Sequence, residues 1–105
     1  MEKNIEISIL LDIYGKLLTE KQYSLLDDYY NKDYSLSEIA ENLGITRQAV
    51  RDNLKKGELN LYELEEKLLL LKKAKSQEKL LKDILEKVDD KNIQKEIKKL
   101  IANLY

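Results

Sequence analysis

The 105 residues predict an all-α fold, and three observations carry that expectation. Proline is absent and glycine occurs only three times, so almost nothing in the chain interrupts a helix. Charged residues make up 37% and apolar residues 43%, the balance expected of helices with solvated outer faces. Apolar residues also recur at steps of three and four, which is the period of a helix stripe.

In the first run Ile5, Ile7 and Ile9 alternate as a strand would, but Ile7, Leu10, Leu11, Tyr14, Leu17 and Leu18 follow the helical spacing, so a helix is expected over 5–18. Thr19 and Gln22 then form a capping box, in which each side chain satisfies an orphan backbone donor of a second helix running to about Tyr30. The polar "NKDYS" breaks the pattern. Ser35 and Glu38 make another such box ahead of Leu36, Ile39, Ala40 and Leu43, a helix of barely two turns. Gly44 sits where a helix ends in the left-handed conformation, and Thr46 can cap the helix after it.

From Val50 the sequence reads Val50, Leu54, Gly57, Leu61, Leu64, Leu68 and Leu71, a heptad seam with only Gly57 out of character. A helix over 47–73 would be ~40 Å long at ~1.5 Å per residue, more than a domain of this size covers alone. Leu61, Leu64, Leu68 and Leu71 are therefore expected to form a seam with another helix, in a homodimer. The four leucines at 68–71 surround the helix and need covering from at least two directions. Two further helices should follow as a hairpin, one carrying Leu80, Leu81, Ile84, Leu85 and Val88, the other Ile93, Ile97, Leu100, Ile101 and Leu104. The expected organisation is an N-terminal part over 1–57 and a long-helix and C-terminal part over 58–105, in one continuous body.

The region around Gly44 has the spacing of a helix-turn-helix. Leu36, Ile39, Leu43, Ile45 and Val50 are apolar, Ala40 is small, and Gly44 lies in the turn. Two short helices crossing at ~90–120° approach closely only where a small residue leaves room and a glycine bends the chain. Asn53 departs from the pattern at a position that is usually apolar, and Leu54 takes its place. Opposite the seam the fourth helix presents Gln48, Asp52, Lys55 and Lys56, with Arg47 and Arg51 alongside. Arginine can bond guanine bidentately, glutamine can read adenine and lysine can neutralise phosphate. Arg47, Gln48, Arg51, Lys55 and Lys56 are thus candidate contact positions to DNA, RNA or a protein partner. Asp52 would repel phosphate, and its expected partner is Lys56 as an ordinary surface pair. Residues 19–57 hold six basic and seven acidic side chains, a net charge of −1, which is little for a competent DNA binder.

"LTEKQYSLLDDYYNKDYSLSEIAENLGITRQAVRDNLKK" resembles the YlxM family of small bacterial proteins, whose helix-turn-helix is similar to region 4 of sigma factors. The resemblance covers residues 5–70. It implies an all-helical cytoplasmic protein, a helix-turn-helix regulator or accessory, and participation with signal recognition particle components. It brings no catalytic residues, and by its motif it implies Thr46, Arg47, Gln48, Arg51 and Lys55 as contact positions.

Other chemistry finds little support. No cysteine or histidine is present, which removes disulfides, thiolate nucleophiles, the usual zinc sites and imidazole acid–base catalysis, so no enzyme and no cofactor is expected. Asp27 with Asp28, and Asp89 with Asp90, are adjacent pairs that point apart on a helix, and no metal is assigned to them. Tyr29, Tyr30 and Tyr34 lie near the motif and could stack bases, but they lack an interleaved basic groove and are expected to pack in the core with wet hydroxyls. Neither a membrane span nor a secretory signal is apparent, and a cytoplasmic location is expected. Two functions remain: an accessory protein acting through macromolecular contact, and a sequence-specific transcription regulator using Arg47, Gln48, Arg51 and Lys55 in the major groove.

Overall fold

A computed structural model describes residues 2–105, whose regular structure is all helical with no strand among them. The chain divides into two compact units, Met1–Leu68 and Leu69–Tyr105. Residue 57, where the sequence suggested a division, lies inside a helix of the first unit.

The first unit contains α1 (Lys3–Tyr14), α2 (Glu20–Tyr30), α3 (Leu36–Leu43) and α4 (Arg47–Leu68). Helix α1 is shorter than the sequence suggested. It gives way at Gly15–Leu17 to one 3-10 turn, and Leu18 is extended with φ −87° and ψ 162°. That turn delivers Thr19 to its capping position, where its hydroxyl accepts the Gln22 backbone N–H at 3.1 Å. Helix α4 is the axis of the unit, since α1, α2 and α3 all pack on it. The core comprises Ile7, Leu10, Leu11 and Tyr14 from α1, Leu25 and Leu26 from α2, Ile39 and Ala40 from α3, and Val50, Leu54 and Leu61 from α4.

Gly57 explains its own place in the heptad pattern. A Cβ built there would lie 2.8 Å from Leu26 Cδ1, so α2 and α4 approach as closely as they do only because position 57 has no side chain.

Leu61 is fully buried among its own unit's helices and faces no second chain. The long helix over 47–73 is not formed. It stops at Leu68, and Leu69 turns the chain with φ 55° and ψ 29°, a left-handed conformation uncommon for a residue with a Cβ. Of the other expected seam positions, Leu64 is half-buried and Leu68 is 44% exposed, while Leu71 is buried in the second unit.

That second unit is a helical hairpin of α5 (Leu70–Lys87) and α6 (Lys91–Ala102). Asp90 caps α6, its carboxylate accepting the backbone N–H of Asn92 at 2.8 Å and of Ile93 at 3.2 Å. The Gln94 amide donates to the Val88 carbonyl at 2.6 Å, and the Tyr105 hydroxyl donates to Glu78 at 2.6 Å, which ties the chain end back to α5. Leu71, Ala74 and Ile97 are its buried apolar residues, while Leu80, Ile84, Ile93 and Leu100 are 45–62% exposed. No helix among the described residues is long and apolar enough to cross a membrane.

Candidate nucleic-acid interface

Helix α3 begins with a complete reciprocal cap. The Glu38 backbone N–H donates to Ser35 Oγ at 3.0 Å, and the Ser35 backbone N–H donates to Glu38 Oε1 at 3.1 Å. It ends at Gly44, where φ is 67° and ψ 33°, a left-handed turn in which the Ile45 N–H reaches back to the Ala40 carbonyl at 3.1 Å. Two residues later Thr46 starts α4 by accepting the Ala49 N–H on its hydroxyl at 3.0 Å. Buried Ile39 and Ala40 hold α3 against buried Val50 and Leu54 of α4. This is the helix-turn-helix, with Leu54 in the core and Asn53 half-buried, so Leu54 takes the buried place that the pattern gives to position 53.

The turn leaves the beginnings of α3 and α4 bordering one open cleft of about 680 Å³. It is lined by Tyr29, Ser35, Leu36, Ser37, Thr46, Arg47, Gln48 and Arg51. None of those eight is acidic, although the unit as a whole carries fourteen acidic residues against nine basic ones. Arg47 and Arg51 are exposed, and no ion pair among the described residues engages either. Four of the six candidate contact positions therefore meet here. Thr46 reaches the cleft with its hydroxyl already occupied as a cap.

Gln48 and Asp52 hold each other, the amide donating to the carboxylate at 2.9 Å. Asp52 thus pairs one turn back with Gln48, and the expected pair with Lys56 is replaced. The contact neutralises no charge, but it directs the carboxylate toward a donor and commits the Gln48 amide. Lys55 is exposed outside the cleft, and Lys56 borders a smaller pocket of about 190 Å³ with Leu25, Leu43 and Asn53.

Tyr29, expected to pack in the core and not to stack bases, borders this site. Its ring meets that of Tyr30 edge to face, with centroids 5.0 Å apart. Tyr30 itself points the other way, into the unit, and donates its hydroxyl to Glu58. Glu58 is the buried charged residue of the core, and Lys3 reaches it at 3.4 Å. Burial first, and the Glu58 carboxylate second, push the Tyr30 hydroxyl well above the usual tyrosine range. Tyr62 is pushed up to about 12 by burial first and then by its hydrogen bond to Glu6. Tyr14 donates to Glu65 at 2.7 Å. Three tyrosine–glutamate contacts thus clasp α4 to α1 and α2.

Elsewhere, Asp27 accepts from the Asn31 amide at 2.8 Å, and Lys32 reaches Asp27 at 3.6 Å and Asp28 at 3.5 Å. Among the described residues no group of three or more metal-ligating side chains gathers.

A family model described as "Putative helix-turn-helix protein, YlxM / p13 like" matches residues 1–101. The chain belongs to this family, UPF0122. A UPF0122 protein of Clostridium kluyveri is 48% identical over 109 residues, covering 98% of each chain. One from Acetivibrio thermocellus is 44% identical over 99% of this chain and 97% of its own, and one from Bacillus pumilus 45% over 99% and 94%. Unlike the local resemblance in the sequence, which stopped at residue 70, these UPF0122 alignments include the C-terminal hairpin. The family match thus takes in the residues that form the hairpin.

Proposed function

We propose that this UPF0122 member is a non-enzymatic helix-turn-helix accessory or regulatory protein of the cytoplasm, acting through macromolecular contact made at the α3–α4 cleft. The acid-free cleft carries the reading: in a unit of net charge −5, two unpaired guanidiniums border one opening beside an aromatic ring. Arg47 and Arg51 are its charge donors, Ser37 and Tyr29 its neutral edges, and Lys55 an outlying contact. The family resemblance favours signal recognition particle components as the setting. Recovery of the tagged protein from its own cytoplasm should bring down a targeting-particle protein or RNA, and the double variant Arg47→Ala, Arg51→Ala should lose that partner. Recovery unchanged by the double variant would remove the cleft from the account.

The sequence-specific transcription regulator is the second reading, favoured by the helix-turn-helix geometry itself. It requires Gln48 to exchange Asp52 for a base edge, and affinity for one defined duplex to fall steeply between about 50 and 200 mM salt.

A homodimer belongs to the same proposal. With Leu61 buried, its contact surface moves to the exposed Leu80, Ile84, Ile93 and Leu100, because a two-helix unit of this size seldom holds itself together without a partner surface. Sedimentation should give a dimer that Leu80→Glu with Leu100→Glu converts to a monomer.

A further inference from the structure

The net charge of −1 conceals a division. Residues 1–68 hold nine basic and fourteen acidic side chains, net −5, whereas 69–105 hold ten lysines and six acidic side chains, net +4. The boundary is that between the two compact units, so the unit carrying the helix-turn-helix is the acidic one.

The lysines are ordered. Lys75, Lys79 and Lys82 follow one another at i, i+4 and i+7 on α5, on the face opposite Leu80, Leu81 and Ile84. Lys91, Lys95 and Lys98 repeat the same spacing on α6, opposite Ile93, Ile97 and Leu100. All six are exposed. Of the six, Lys82 is in an ion pair, with Glu78 at 2.9 Å, and no ion pair among the described residues engages the other five. Glu78 is also bound to Tyr105 and held below the usual carboxylate range by that contact first and Lys82 second. Glu86 closes the α5 stripe at its end.

We propose that these two lysine stripes form a second interaction surface, one that binds the phosphodiester backbone of a nucleic acid without reading its sequence. This rests on the nucleic-acid form of the reading above, and it moves most of the electrostatic attraction from the helix-turn-helix to the hairpin. The chemistry selects the partner. Protein interfaces are depleted in lysine, and no apolar anchor interrupts either stripe, whereas long, flexible point charges suit counterion release from a polyanion. Successive lysines rise by ~4.5–6 Å along each axis, which lets neighbouring side chains serve separate phosphates. A unit of net charge −5 does not supply that attraction, and one of +4 does.

The test uses the full chain, a fluorescent 30-base-pair duplex DNA, a fluorescent single-stranded RNA of matching length, and anionic lipid vesicles, from about 50 to 200 mM salt. Lys75→Ala, Lys79→Ala, Lys95→Ala in one chain should make the slope of log affinity against log salt shallower by about 2–3 for the nucleic acid that binds, with helical content unchanged by circular dichroism. The matching triple arginine variant should restore it. The DNA and RNA arms identify the source of the backbone. If neither nucleic acid binds, or vesicles alone bind, this inference and the nucleic-acid reading both fall. If binding is lost in Arg47→Ala, Arg51→Ala but its slope survives the lysine triple, the cleft stands and the hairpin surface does not.

Discussion

Gly57 shows how one missing side chain sets the approach of two helices. In an isolated helix alanine would be favoured over glycine by about 1 kcal/mol. Here the added methyl would meet Leu26, itself fully buried, at 2.8 Å. Overpacking of this kind costs about 1–3 kcal/mol, so Gly57→Ala is expected to lower the urea midpoint despite its better helix propensity. Glu58 is the second residue on which the unit depends. Removing a hydrogen-bond donor from a buried carboxylate costs about 1–3 kcal/mol, so Tyr30→Phe should destabilise the fold by that order, while Tyr34→Phe, at a 38% exposed ring, should be near neutral. Neither contact has a signature in the order of residues: Tyr30 and Glu58 are 28 positions apart, Tyr14 and Glu65 are 51. The Ser35–Glu38 box and the Gly44 turn were legible because both partners of each bond lie within a few residues.

At the level of elements, α3 is the most exposed to loss of its cap, having only eight residues. Ser35→Ala removes the acceptor of the Glu38 N–H and should cost about 1 kcal/mol, and any ligand affinity owed to the cleft should fall with it. A thermal melt read beside a binding titration separates the two effects. The end of α4 is an instructive case of what pattern alone misses. The leucines at 68–71 continue a helical run with no glycine, proline or polar break, yet Leu69 adopts the left-handed conformation and starts a new helix. Such a residue carries of order 1–3 kcal/mol of strain. Leu69→Val, with its branched Cβ, should therefore destabilise more than Leu69→Gly, an ordering that urea unfolding would show. Of these four leucines Leu71 is buried while Leu68, Leu69 and Leu70 stay 39–45% exposed, so the break is a tertiary outcome that the apolar run does not itself dictate.

For the whole chain, the tyrosine–glutamate contacts fix how stability depends on alkaline pH. The Tyr62 hydroxyl has an ordinary value of 10.0 and is held at about 12 in the fold, so the folded state binds its proton more tightly than the unfolded state. That contribution is fully present below pH 10, declines as pH rises toward 12 and is gone above it; Tyr30 is shifted in the same direction. Unfolding measured from pH 8 to 12 should show stability falling above about 10, with a smaller fall in Tyr62→Phe.

The amino-acid order by itself determined the all-α class, the helix-turn-helix with its caps and its Gly44 turn, the basic positions of early α4, and the helical hairpin at the end, since all of these rest on bonds or periodicities spanning a few residues. Only the tertiary structure decided that Leu61 would serve its own unit, that the helix would stop at Leu68, and that Tyr29, Ser37, Arg47 and Arg51 would border one cleft free of carboxylates. Those outcomes depend on which faces meet across tens of residues. An apolar stripe states that a surface will be covered, while close packing against particular neighbours selects what covers it.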